Sequence, residues 1–298
     1  MGNNVRRTLV LIFGVSLVLL SGCGDANLKK ARRFQEAKDY EQAIHYYKLA
    51  LDKNPDNQTA RYGLIESYAL SVTSLPPEEV TPEKVEEAME EMKPIAQPLK
   101  DDVNIRRYMS LIYQMLAKRY AEVGRDDKAL EAWTEVTKLD PSYSEAYFNL
   151  GIAVAKTGRV EESLPHFQKA VDLNPYFIKG YYAMGRALLS LNRTDEAIKQ
   201  FTRALELNPE DPMIRHDLGL AYSQAGDNKK AIEQYLKALE VEPRFSVVYK
   251  SLAEAYKAIG DTKKAQEAEQ KWNEYVEALK EAQKGQMNEP QSGGDSLD

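Results

Sequence analysis

Residues 141–174 read PSYSEAYFNLGIAVAKTGRVEESLPHFQKAVDLN, and residues 175–208 read PYFIKGYYAMGRALLSLNRTDEAIKQFTRALELN. Both stretches are 34 residues long and begin with proline, and prolines recur at the same spacing at Pro209 and Pro243. A second series with this period marks the middle of each unit, namely Gly124, Gly158, Gly226 and Gly260, with Asn192 where the missing glycine would stand. Glycine and asparagine tolerate a left-handed turn conformation best. The pattern therefore predicts two helices joined by a tight turn in each unit.

The residue types inside each unit resemble the tetratricopeptide repeat. Tyr147, Leu150 and Gly151 fall on the first predicted helix of one unit, and Phe167 and Ala170 fall on the second. Small residues let two antiparallel helices approach closely, and aromatic rings fill the space beside them. Each hairpin leaves an apolar face that a neighbour must cover. The resemblance implies an all-α fold, a right-handed superhelix (α-solenoid) of about seven helical hairpins.

The repeats are expected to occupy residues 27–284. Regular repeats cover about residues 110–279, and a capping helix continues to about residue 284. The unit before them departs from the pattern, because prolines and an acidic stretch interrupt residues 74–101. We interpret it as a hairpin with a lengthened loop and a second helix that starts near Pro82. Residues 285–298 lack an apolar period and are expected to be disordered.

The amino terminus has the features of an export signal. Arg6 and Arg7 precede an apolar run from Leu9 to Leu20, which at about twelve residues is shorter than a membrane span requires. The next residues complete Leu20-Ser21-Gly22-Cys23, which resembles the lipobox of bacterial lipoproteins. That resemblance implies a signal peptide at residues 1–22, a covalent lipid on Cys23 and a short linker at residues 23–26. A cleaved signal with a chance cysteine, or an uncleaved anchor, remains the alternative.

Composition argues against several classes of protein. The formal net charge is −6, and removal of residues 1–22 would leave 38 basic against 46 acidic residues, so the chain is a poor candidate for nucleic-acid binding. Cys23 is the only cysteine, which leaves no disulfide and no thiolate metal cluster. His45, His166 and His216 fall in different units and are interpreted as surface or groove residues. We expect no enzyme activity, no metal and no cofactor besides the lipid on Cys23.

In the tetratricopeptide family the first helices line an inner groove. When the family's groove positions are matched one by one to this sequence, the resemblance implies the following groove residues: Gln114, Lys118, Phe148, Asn149, Ile152, Lys156, Lys179, Tyr182, Arg186, His216 and Leu220. Such a basic and aromatic surface would suit a peptide or helix that carries carboxylates. The alternative is that these are ordinary solvated residues.

Two acidic segments complete the charge pattern. The segment from Glu78 to Glu91 is interpreted as a solvated helix face, with a docking surface as the alternative. The tail from Glu289 to Asp298 is a candidate occupant of the basic groove.

These features together predict a membrane-anchored scaffold or assembly factor of the bacterial envelope. It would face the periplasm and bind other envelope proteins through its groove, with the choice between inner and outer membrane left open. At the level of architecture the chain resembles assembly lipoproteins of type IV pili and secretion systems. The alternative is an accessory protein of polysaccharide or peptidoglycan synthesis or hydrolysis that touches the polymer. Capture of polymer without protein would favour the alternative, whereas saturable peptide binding would favour the scaffold.

Overall fold

The computed structural model describes residues 25–287, and every regular element in that range is helical. The range contains fourteen α-helices and two 3₁₀ turns. Contacts divide the chain into two compact units, which separate between Tyr108 and Met109 and are described one by one. The proposed signal peptide, Cys23 and the tail from residue 288 lie outside the described residues.

The first unit is built from two helical hairpins. Its helices are α1 (Ala26–Glu36), α2 (Tyr40–Lys53), α3 (Gln58–Thr73) and α4 (Pro82–Ala96), with 3₁₀ turns at Pro77–Glu79 and Gln97–Leu99. The long loop before α4 ends at Thr81, whose hydroxyl accepts a hydrogen bond from the backbone N–H of Lys84 and caps the helix. Proline fits at the first position of α4, because an N–H at this position would have no acceptor within the helix and proline has no N–H.

The second unit continues the same alternation of helices and short turns. Its helices are α5, which begins at Val103 before the unit boundary (Val103–Glu122), α6 (Asp126–Leu139), α7 (Ser144–Lys156), α8 (Val160–Leu173), α9 (Ile178–Ser190), α10 (Thr194–Leu207), α11 (Pro212–Gln224), α12 (Asn228–Val241), α13 (Ser246–Ala258) and α14 (Thr262–Met287). From α7 onward each helix packs against the next one in the chain. The prediction of an all-helical array of about seven hairpins is confirmed. The last helix reaches Met287, three residues beyond the predicted end.

Close approach of the two helices in a hairpin depends on glycine. A methyl group added at Gly185 would lie 2.7 Å from the ring of Phe201, which is fully buried. At Gly151 it would lie 2.6 Å from the ring of Phe167. Glycine on the first helix and an aromatic ring on the second therefore interlock in successive repeats, as the sequence pattern predicts. None of the helices within residues 25–287 is both long enough and apolar enough to cross a bilayer.

The turn inside each hairpin uses the left-handed backbone conformation. The glycines at this position have positive φ angles, for example +85° at Gly158, and Asn192 takes φ +59° in the same place. The expected substitution of glycine by asparagine is thus confirmed. In the first hairpin the turn residue is Lys38, with φ +61°. A lysine side chain makes this conformation costly because its Cβ crowds the backbone.

Replacing Lys38 by glycine should therefore stabilise the protein by about 0.5–1 kcal/mol. Lys38 is exposed, so little packing is lost with its side chain. Equilibrium urea unfolding measures the effect, and the converse change Gly226→Ala, at φ +82°, is the control that should destabilise. If Lys38→Gly left the midpoint unchanged or lowered it, the turn strain assigned to Lys38 would be wrong.

Candidate functional site

The groove residues implied by the repeat register lie on the first helices of successive hairpins in the second unit. We call the following set the groove face: Gln114 and Lys118 on α5, Phe148, Asn149 and Ile152 on α7, Lys179, Tyr182 and Arg186 on α9, and His216 on α11. First helices of neighbouring hairpins contact one another, as α7 does α9, α9 does α11 and α11 does α13. Residues one period apart on these helices therefore stand side by side along one surface.

Three cations of the groove face are open to solvent. The side chains of Lys118, Lys179 and Arg186 are exposed, and that of Arg186 is 66% accessible. Lys118 and Arg186 stand two repeat periods apart, at the same position of their helices, and the half-buried Ile152 stands midway between them. The surface thus alternates positive and aliphatic groups along the first helices.

The two aromatic residues of the groove face are half-buried rather than displayed. Phe148 meets Phe177 edge to face, with ring centroids 5.2 Å apart, and lies 6.1 Å from Phe167. The ring of Tyr182 lies 6.0 Å from that of Phe201. The aromatic part of the predicted groove surface therefore needs correction, because much of each ring packs against other aromatic rings of the repeats.

A carboxylate that sequence reasoning missed lies beside Arg186. Tyr182 Oη donates a hydrogen bond of 2.8 Å to Asp217 Oδ2, and Arg186 Nε lies 3.7 Å from the same oxygen. Burial, together with the Asp217 carboxylate, raises the pKa of Tyr182 well above its usual value. Arg186 also lies over the Tyr182 ring, at 5.9 Å. The charge of Arg186 is thus partly offset, which makes the groove face less basic than predicted.

His216 is the second correction, since it is buried with only 8% of its surface exposed. Its Nδ1 lies 3.1 Å from Asp217 Oδ1, and its Nε2 lies 3.0 Å from Ser251 Oγ. An ionised carboxylate can only accept, so Nδ1 carries the hydrogen and donates it to Asp217. In the neutral ring Nε2 then accepts from Ser251. The ring also packs 5.7 Å from both Tyr235 and Phe245, so it acts as a packing residue and not as an open groove residue.

We call Tyr182, Arg186, Asp217, His216 and Ser251 the polar network. It joins α9, α11 and α13, the first helices of three consecutive hairpins. Asp217 could have been noticed from its place in the sequence, because it stands two repeat periods after Asn149.

The remaining predicted groove residues make few polar contacts or are half-buried. Gln114 is half-buried and donates through Nε2 to Ser110 Oγ at 3.2 Å. Lys156 is exposed and its Nζ lies 3.6 Å from Asp126 Oδ1. The other three predicted groove residues are half-buried, namely Asn149, Ile152 and Leu220.

Two exposed apolar side chains extend the surface beyond the predicted set. Met213 on α11 is 53% exposed and Val247 on α13 is 43% exposed. They stand one and two periods after Lys179, at the same helix position. Only their spacing of one and two periods from Lys179 marks them in the sequence. The comparison with the tetratricopeptide family assigned this helix position to the groove at Lys179 and not at Met213 or Val247.

The first unit has polar clusters of its own. Glu66 accepts hydrogen bonds from Gln35 at 2.9 Å and from Tyr108 at 2.8 Å. Glu91, in the acidic stretch, accepts from Lys48 at 2.7 Å and from Tyr68 at 2.8 Å, and the hydrogen bond from Lys48 is the main cause that lowers the pKa of Glu91. That carboxylate therefore links α2, α3 and α4 while its side chain stays 49% accessible on the solvated face of α4.

The other two histidines lie on second helices, His45 on α2 and His166 on α8. His45 is exposed, whereas His166 is half-buried, and burial lowers the pKa of His166. Among residues 25–287, no three His, Cys, Asp or Glu side chains are grouped so that they could hold a metal ion.

Stacked helical hairpins with a constant period and a surface formed by their first helices define the class of helical repeat proteins. Two family models, both described as tetratricopeptide repeat, match residues 34–71, 115–176 and 182–246, which together exceed half of the chain. The protein therefore belongs to the tetratricopeptide-repeat family.

Solved structures agree with this fold. The crystal structure of MamA protein matches with a TM-score of 0.53 and 29% identity, covering 57% of this chain and 92% of that chain. A MamA structure from Desulfovibrio magneticus RS-1 matches with a TM-score of 0.55 and 24% identity, over 57% and 96%. YrrB, described as a TPR protein with an unusual peptide-binding site, matches with a TM-score of 0.50 and 23% identity, over 56% and 86%. No curated protein sequence matches the chain.

Proposed function

We propose that the protein is a membrane-anchored scaffold or assembly factor of the bacterial envelope, which binds partner peptides or helices on its groove face. The observation that carries the binding role is the row of exposed Lys118, Lys179 and Arg186 on first helices of the second unit. A tetratricopeptide neighbour of known structure, YrrB, is described as having a peptide-binding site, which supports this role by analogy.

The partner segment should carry carboxylates separated by apolar residues. Carboxylates would accept charge-assisted hydrogen bonds from Lys118 and Lys179, while apolar side chains would cover Ile152 and the exposed Met213 and Val247. Arg186 already lies near Asp217, so an incoming carboxylate would share this guanidinium and not bind it alone. The helices beneath are held by the polar network and by aromatic packing. A surface held rigid in this way loses little conformational entropy when a peptide binds.

Crosslinking in intact host cells tests the groove face. A variant with Lys118→Glu, Lys179→Glu and Arg186→Glu should capture its partners about tenfold less than the wild type, because reversed charges repel the carboxylates. The matched control is Lys169→Glu, Lys199→Glu and Lys229→Glu, which changes net charge equally at exposed positions on the second helices α8, α10 and α12. It should capture the same partners as the wild type.

The outcomes distinguish a protein-binding scaffold from an accessory protein of polymer metabolism. Equal capture by the groove variant and the control would contradict binding at the groove face. Recovery of polysaccharide or peptidoglycan without protein would contradict the scaffold and favour the accessory role in polymer metabolism. Circular dichroism of both variants checks that the helices remain folded.

The proposed anchor rests on the sequence around Cys23. Two or three acyl chains on this residue would hold the protein at a membrane almost permanently, since each buried CH₂ contributes about 0.8 kcal/mol. Mass spectrometry of the protein from its host should find an amino-terminal peptide that begins at acylated Cys23, and Cys23→Ser should abolish that peptide. An unmodified Cys23, or a chain that still begins at Met1, would contradict the anchor and leave the binding role untouched.

A further inference from the structure

The first helix carries a basic face on its exposed side. In α1, Lys29, Lys30, Arg32 and Arg33 are all exposed, whereas Glu36 is its one acidic residue. The opposite side of the helix packs into the first unit: Ala31 is fully buried, and Leu28, Phe34 and Gln35 are half-buried. We call the four cations the α1 basic face.

These cations are not used in pairs that hold the fold together. None of the four lies within ion-pair distance of a carboxylate of residues 25–287. Lys30 Nζ instead lies 5.0 Å from the centre of the Tyr46 ring, and Phe34 stacks on the same ring with the two centroids 5.4 Å apart. A row of cations without carboxylate partners, beside half-buried aromatic rings, is a combination that suits the headgroup layer of a membrane.

The position of α1 in the chain also favours contact with a membrane. The helix begins at Ala26, three residues after Cys23. An extended residue spans at most about 3.6 Å, so the start of α1 lies within about 11 Å of Cys23. The four cations follow within seven residues, or about 10 Å along the helix axis, so this tether lets them come within a Debye length of the bilayer, about 8–10 Å at physiological salt. Cations held so near a charged bilayer interact with its surface potential.

We infer that the α1 basic face lies on anionic phospholipid headgroups of the membrane that holds the acylated Cys23. This inference rests on the proposed anchor. Without residues 1–22 the chain carries 38 basic against 46 acidic residues, so an anionic bilayer repels most of it. The α1 basic face supplies local attraction, on the order of fivefold in surface partitioning for each basic residue. It therefore sets which part of the first unit faces the lipid, which the acyl chains alone do not do.

The test compares one acylated, full-length protein on two kinds of vesicle. The protein is reconstituted into neutral phosphatidylcholine vesicles or into vesicles in which about a third of the lipid is phosphatidylglycerol, a charge density that gives a strong surface potential. An amine-reactive reagent then labels lysines, and mass spectrometry gives the rate at each site. Lys29 and Lys30 should react about threefold or more slowly on anionic vesicles, and about 0.5 M salt should restore the rate. Lys179 and Lys199, which are exposed on helices of the second unit, are internal references.

A variant and its matched control sharpen the result. Arg32→Gln with Arg33→Gln should raise the labelling rate of Lys29 on anionic vesicles, whereas Lys169→Gln with Lys229→Gln, which changes two exposed cations of the second unit, should leave it unchanged. Equal rates for Lys29 on neutral and anionic vesicles, with the protein still bound to both, would overturn the inference and leave the anchor intact. Protection in cells but not on anionic vesicles would also overturn it, in favour of an acidic protein partner. Failure of the protein to remain on either vesicle would contradict the proposed anchor itself.

Discussion

Replacing Phe201 by alanine should lower the free energy of unfolding by about 3–5 kcal/mol. Phe201 is fully buried on α10, where its ring fills the space opposite Gly185 and lies against Tyr182. Glycine cannot close a cavity left by the ring, because it has no side chain to move into it. The neighbouring repeats pack on both sides of this hairpin, so the substitution should also weaken the packing of those repeats against it.

Equilibrium unfolding in urea, followed by circular dichroism, measures this loss. The control is Lys199→Ala, an exposed position two residues earlier on the same helix, which should change stability by less than about 0.5 kcal/mol. Phe201→Leu keeps much of the volume and should fall between the two. A loss below about 1 kcal/mol for Phe201→Ala would mean that the hairpin collapses around the cavity, contrary to the interlocking of glycine and ring described above.

Replacing Asp217 by alanine should cost about 2–3 kcal/mol, because it removes the common acceptor of the polar network. Tyr182 and His216 would each keep a donor without its partner in a half-buried or buried place. Their desolvation would then go uncompensated. The charge of Arg186 would also be released toward solvent, so binding of a carboxylate-bearing peptide should strengthen even as stability falls.

Two measurements separate these effects. Urea unfolding reports the stability, and peptide titration by fluorescence reports the affinity of the groove face. Asp195→Ala, an exposed carboxylate on α10, is the control and should alter neither. Asp217→Asn keeps the shape and one acceptor, so its stability should lie between the wild type and alanine. If Asp217→Ala were as stable as Asp195→Ala, the polar network would contribute nothing to the packing of the three first helices.

The period in the sequence was sufficient to predict the helices and their pairing. Proline spacing, the turn glycines and Asn192 all report backbone conformation, which is local and therefore readable from residue type. The interlock of Gly185 with Phe201 could be predicted for the same reason, since it recurs in each unit.

The contacts between repeats could not be predicted in this way. The hydrogen bond from Tyr182 to Asp217 joins residues 35 positions apart, and it depends on how closely two first helices approach. His216 stands at a position that the family uses for its groove, yet Tyr235 and Phe245 cover its ring. Residue type gave no sign of that covering, because histidine is intermediate between buried and exposed residue types.

The even spacing of Pro141, Pro175, Pro209 and Pro243 also bears on how such a chain can change over evolutionary time. Loss or duplication of one 34-residue segment, such as 175–208, would leave each junction with the same kind of residues on both sides. The new neighbours could still dock through the same interlock of small and aromatic residues. The length of the binding surface can therefore be adjusted in whole steps by recombination, without redesign of the parts that remain.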